Sequence, residues 1–156
     1  MDIELQLRLE RFNADYAATI DDDRLEEWPE FFTDDCLYVV THRESYEAGY
    51  PHGAIYASSK GMLIDRITSL RKANIYERHA YRHFLGSVRV ESVDGNIAVA
   101  RSNFMVVRIM HSGETMLFAT GVYRDRIDLA GERPRLRERI AVCDSGRIDT
   151  LLVIPL

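Results

Sequence analysis

Cysteine is scarce. Cys36 and Cys143 are the only two in 156 residues. Neither lies in a C-x-x-C pair, and neither is followed two or three positions on by a histidine. That excludes a zinc site or an iron–sulfur cluster of ordinary ligand spacing within this chain. The two thiols are expected to be buried and free. Long apolar runs are also missing, and none approaches the ~18 residues that a membrane-crossing helix requires. The opening Met1-Asp2-Ile3-Glu4 has neither the basic start nor the apolar block of a secretory leader, so a cytoplasmic protein without a membrane partner is expected. Cations are not in excess: 20 Lys+Arg face 25 Asp+Glu, for a net charge of −5. The arginines are scattered rather than blocked, which gives nucleic acid no electrostatic footprint. No Gly-rich dinucleotide loop, internal repeat or linker interrupts the chain, and residues 1–156 are expected to form a single domain.

What is present is a change of period. Leu5, Leu9, Phe12, Tyr16 and Ile20 recur at spacings of three and four, which predicts an amphipathic helix over ~2–20. Asp21-Asp22-Asp23 should stop it, and one of these aspartates could cap a second, tight helix over Arg24–Phe32 that Pro29 must distort. Cys36–His42 is a β-rich run, apolar on both faces. Arg43–Gly53 reads as a loop and Ala54–Ala57 as a short strand. A third helix over ~60–73 would bury Met62, Leu63, Ile67 and Leu70 and leave Asp65 and Arg66 wet.

From Ile75 onward the period is two. Strands are expected around Val88–Glu91, over Ile97–Met110 and Thr115–Leu129, and over Arg135–Cys143. Asp94-Gly95 and Ser112-Gly113 mark hairpins, and Gly121 a bend or bulge. In Arg135–Cys143, Leu136, Ile140 and Val142 should share one face. The apolar tail Leu151–Leu156 must be a core strand or lie against another subunit, since chain ends otherwise fray. Helices first and long antiparallel strands after them give an α+β fold: a curved sheet closing into a cone, with the N-terminal helices in its mouth.

Chemistry-bearing residues concentrate in Ala73–Gly86, which holds Tyr76, Glu77, Arg78, His79, Tyr81, Arg82 and His83. His79 and His83, with Glu77, offer the residue types of a two-histidine, one-carboxylate iron site. Arg78 and Arg82 would oppose a dication there, so no metal is expected. A cone pocket could instead use His79 or His83 as a general base, oriented by Asp34, Asp35, Tyr38 or Tyr56, as in a dehydratase or isomerase. The cone could also simply bind a small aromatic ligand. Arg135, Arg137 and Arg139 alternate along one strand and could form either a solvated face or a ladder meeting acidic groups of a partner.

Several stretches carry a resemblance over essentially the whole chain. They are Glu26–Thr33, Asp65-Arg66-Ile67 with Leu70-Arg71, Ile75–His79 with Tyr81-Arg82-His83, Phe104–His111, Arg137–Ser145, and Asp149–Leu152 with Pro155-Leu156. In these the sequence resembles the small (β) subunits of Rieske-type aromatic-ring-hydroxylating dioxygenases. The resemblance implies the cone fold of the nuclear-transport-factor-2 type and a structural, non-catalytic role. It places the Rieske [2Fe–2S] cluster and the mononuclear Fe(II) in a partner large (α) subunit. It also implies a reductase fed by NAD(P)H, a trimer of this chain within an α3β3 hexamer, and cis-dihydroxylation of an aromatic carboxylic acid, terephthalate first, with salicylate and anthranilate as neighbours. No catalytic, metal or cofactor-binding residue maps onto this chain. Tyr76, Arg78, His79, Tyr81, Arg82, His83, Arg137 and Arg139 are then expected at subunit contacts.

Overall fold

The computed structural model describes residues 2–50, 53–73, 76–147 and 152–156. Helix α1 runs over Ile3–Asp21, capped by the Asp2 carboxylate, which accepts from the Leu5 amide at 3.0 Å. It buries Leu9, Phe12, Tyr16 and Ile20, as the periodicity requires, and also Asn13, Ala17 and Thr19. The stop is made by Asp23, whose φ of 59° lies in the left-handed region that Asp tolerates better than most residues. None of the aspartates caps the following segment, because Asp23 is drawn to Arg71 instead. That segment, Leu25–Phe31, is a 3₁₀ helix with Pro29 inside it. Its tight winding buries Leu25, Trp28 and Phe31 together.

Strand β1 (Phe32–His42) starts four residues earlier than its sequence pattern suggests. The stretch read as a loop begins with a short helix, α2 (Arg43–Glu47). Strand β2 is Ile55–Ala57, and α3 is Lys60–Ala73. On α3, Leu63, Ile67 and Leu70 are buried, but Met62 points outward at 43% exposure. Arg66 is half-buried and donates to the Leu152 carbonyl at 2.7 Å. Then follow β3 (His79–Leu85), β4 (Arg89–Asp94), β5 (Ile97–Met110), β6 (Thr115–Asp128) and β7 (Arg135–Cys143).

The strands form one sheet in the order β2-β1-β7-β6-β5-β3, with β4 also on β5. Strands β3 and β4 lie end to end along β5, on its residues 104–110 and 97–101. The sheet is antiparallel, as expected for its long strands, with one parallel pairing, between β1 and β7. Curvature comes from bulges, each an extra residue that bends its strand. The register slips at Glu91 on β4, Phe118 on β6 and Arg137 on β7. Gly121 is not a bulge: a Cβ there would fall 2.1 Å from the Val142 carbonyl oxygen, so its bare backbone permits close approach to β7. The sheet wraps round α1, the 3₁₀ helix and α3 as a cone, and their inward side chains form one core.

The tail is neither a strand nor, in this chain, a surface for another subunit. Residues 152–156 are irregular and pack into the core through Leu152, Ile154 and Leu156, all at most 7% exposed. Burying three such side chains stabilises by roughly 1.5–3 kcal/mol each. The Leu156 carbonyl accepts from the Tyr16 and Tyr38 hydroxyls at 2.8 and 2.9 Å, and its amide donates to the Tyr38 oxygen at 3.0 Å. Ile75 and Asp149–Leu151, named in the sequence reading, lie outside the described residues. Replacing Tyr38 with Phe strands a buried amide and weakens the grip on the carbonyl. Urea denaturation of Tyr38→Phe should show a loss of about 1–3 kcal/mol, and an unchanged midpoint would show that the tail is held otherwise.

Candidate functional site

The natural place for a site in a cone is its interior, and here the interior is filled by the chain itself. Arg139, expected on an exposed basic ladder, is fully buried. The bulge at Arg137 shifts the parity of β7. Arg135 and Arg137 stay outside, while Arg139, Ala141 and Cys143 turn into the cone with Leu136. Ile140 and Val142 fall on the other face.

The buried guanidinium is fully supported on one side. Its Nε donates to Asp125 Oδ1 at 2.9 Å, and one terminal nitrogen donates to Asp125 Oδ2 at 2.8 Å and Asn13 Oδ1 at 2.7 Å. Asn13 in turn donates to the Ser102 hydroxyl at 3.1 Å. The rings of Tyr16 and Tyr123 hold the cation between them, at 4.3 and 4.0 Å from the ring centroids. Burial by itself pushes the Arg139 pKa down, but the Asp125 charge and hydrogen bonds outweigh it and the net shift is upward. Arg139 is therefore a permanent internal cation. Above it, Trp28, Phe32 and Tyr38 meet edge-to-face at 5.1–5.7 Å, and the tail closes the remaining space.

The histidines separate. Alternation along β3 points His79, Tyr81 and His83 inward, and Ala80, Arg82 and Phe84 outward. The His83 side chain is 0% exposed. Its partner is none of Asp34, Asp35, Tyr38 or Tyr56 but Asp21, the last residue of α1. The carboxylate sits 2.6 Å from Nδ1 and also accepts the His83 amide at 2.8 Å. That contact places the ring proton on Nδ1 and staples α1 to β3. With Nε2 buried as well, no substrate reaches this ring, so His83 fails as a general base. Its buried Nε2 joins no metal site either, because no three His, Cys, Asp or Glu side chains gather as one among the described residues. His79 Nδ1 instead meets the Glu77 backbone carbonyl at 2.8 Å.

Three of the expected contact residues, Tyr81, His83 and Arg139, are at most 8% exposed and lie out of a partner's reach. Arg82 stands exposed on the outer sheet face, and Arg137 is half-exposed beside Asp35 at 3.7 Å. Tyr76, Arg78 and His79 border a cleft at the cone's rim. Cys36 and Cys143 are buried and free, and burial raises both thiols to about 11.

A family model described as ring hydroxylating beta subunit matches residues 15–150. The chain belongs to this family. It is 51% identical, over 97% of its own length and 98% of the relative's, to the beta 2 subunit of the terminal oxygenase component of terephthalate 1,2-dioxygenase from Comamonas sp. It is 39% identical, over 90% of itself and 88% of the relative, to the anthranilate 1,2-dioxygenase small subunit of Burkholderia cepacia. Among solved structures, a beta subunit assigned to an aromatic-ring-hydroxylating dioxygenase of Novosphingobium aromaticivorans superposes with a TM-score of 0.90 at 43% identity, covering 97% of each chain. The family and the cone fold are those that the resemblance implied.

Burial raises the hydroxyls of Tyr16, Tyr38, Tyr81 and Tyr123 above the usual value near 10. Their neutral forms are favoured in the folded chain, so the stability they confer is whole below pH ~10 and is lost as pH rises past it. In an alkaline titration followed by phenolate absorbance, these four of the eight tyrosines should ionise only as the protein unfolds. Reversible ionisation of all eight in the folded state would contradict their placement.

Proposed function

We propose that this chain is the structural, non-catalytic small subunit of a multicomponent dioxygenase that cis-dihydroxylates an aromatic carboxylic acid. The observation that carries the reading is the filled cone: the space in which a stand-alone dehydratase, isomerase or aromatic-binding module would act is occupied by Arg139, its partners and the tail. The name of the 51% identical relative favours terephthalate as the substrate of the whole enzyme. The described residues do not fit the family's metal centres: no three His, Cys, Asp or Glu side chains gather among them, and His83 is committed to Asp21. The Rieske [2Fe–2S] cluster and mononuclear Fe(II) therefore belong to the partner large subunit, which a reductase supplies with electrons from NAD(P)H. This chain's work is to fold as one domain over 1–156, in the cytoplasm, and to present a rigid surface.

That surface is the outer face of β3, β5 and β6. Phe84, Met105 and Leu117 are 52%, 36% and 58% exposed there. Phe84 and Met105 are cross-strand neighbours, and Val107 is flanked by Arg82 and Leu117. Apolar patches of this kind mark subunit contacts, and arginine is enriched in them. Arg82 is the cation of the Tyr76–His83 stretch that stands on this face, and Arg137 is exposed on β7 beyond it. The face serves a trimer of this chain within an α3β3 hexamer. Purified alone, the 18.0 kDa chain should sediment as a colourless trimer. Co-expressed with its large subunit, it should elute as a brown hexamer. A Phe84→Asp, Leu117→Asp variant should fold and lose the trimer. A wild-type monomer that fails to retain the large subunit would overturn the reading.

A further inference from the structure

The cleft at the rim is separate from the filled interior and from the outer sheet face. It lies between the C-terminal ends of α1 and α3, the approach to β3 and the tail, and encloses about 380 Å³. That volume is at the small end for ligand pockets and suits one ring with a substituent rather than a length of chain. Tyr76, His79 and Tyr81 make one wall, with ring centroids 5.8 and 5.5 Å apart in sequence. Leu70 and Ile154 contribute apolar surface, and Arg78 supplies a cation.

The charges here are unequally committed. Asp21 is spent on hydrogen bonds from His83 Nδ1 and the His83 amide. Asp23 is held by Arg71, whose three guanidinium nitrogens are all spent on Asp23 and Glu26, at 2.6–3.2 Å. Burial works against the Glu26 charge, but the Arg71 hydrogen bond prevails and holds its carboxyl below the usual value. Arg78 alone among the charged side chains lining this cleft has no hydrogen-bond or ion-pair partner among the described residues. His79 is fixed by its Nδ1 contact with the Glu77 carbonyl, so its ring is pre-set as wall.

We propose that this cleft is a binding site for one small aromatic carboxylate. The ring lies along Tyr76 and His79, with the buried Tyr81 ring backing His79, and the carboxylate pairs with the Arg78 guanidinium, whose planar fork matches it. The site belongs to the small subunit itself and does not depend on its place in a hexamer.

Titration of the full chain with benzoate tests this, followed by backbone amide NMR. Saturable binding to one site is expected, with a dissociation constant on the order of 1 mM for so small a ligand, and with shifts confined to the amides of Leu70, Tyr76–Tyr81 and Ile154. Benzyl alcohol, with the ring but no charge, and acetate, with the charge but no ring, should each bind at least about tenfold more weakly. Arg78→Ala should weaken benzoate about tenfold, and Arg78→Lys should restore part of the loss. Non-saturable shifts, equal affinity for benzyl alcohol, or indifference to Arg78→Ala would each overturn the proposal. So would a wild-type chain blind to benzoate whose Arg78→Ala variant no longer retains the large subunit, because the cleft would then be a protein contact. Since the titration uses this chain alone, a failed hexamer leaves its outcome readable.

Discussion

The buried ion pair between Arg139 and Asp125 is the constraint on which the rest of the cone depends. Taking both ions out of water costs several kcal/mol each, and geometry must return that cost. Every part of the arrangement serves it. The bulge at Arg137 turns Arg139 inward, and β6 presents Asp125 directly opposite in register. Asn13 on α1 takes a further hydrogen bond, and Tyr16 and Tyr123 sandwich the cation. One guanidinium thus ties α1, β6 and β7 together. With the interior so occupied, the outer faces and the rim are what remain to carry function.

How much of this was legible beforehand depended on the kind of signal. Helix α1 and strands β5 and β7 follow from periodicity, because a repeat of 3.6 or 2 over nine or more residues has few other readings. Bulges have no such signature. A single extra residue at Arg137 inverted the inside and outside of β7, and the expected arginine ladder dissolved with it. The parallel pairing of β1 with β7 is a long-range choice that local pattern does not encode. Asp21 was read as a helix stop, yet Asn13, Ala17 and Asp21 recur every four residues on the buried side, and that spacing carried the missed signal. Asp125 likewise shares parity with Tyr123 and Ile127 on the inward face of β6.

The histidines show why residue types alone misdirect. Two histidines four apart beside a glutamate have the composition of an iron site. On a strand, however, their roles are set by what lies opposite. His83 faces the end of α1 and becomes a staple, while His79 faces the open rim and becomes a wall. Arg82 between them points away, toward the surface. The inside of this cone is lined and packed by the chain's own side chains.

The claim that this chain contributes structure and no chemistry is tested most directly by turnover per assembled hexamer with His83→Asn in the small subunit. Asparagine keeps a donor for Asp21 and removes the imidazole. The filled-cone account predicts turnover per iron-loaded hexamer within about twofold of the unaltered enzyme, even if less hexamer forms. A loss of about 10²–10⁴-fold in fully assembled hexamer, the size expected for removal of a general acid or base, would contradict it.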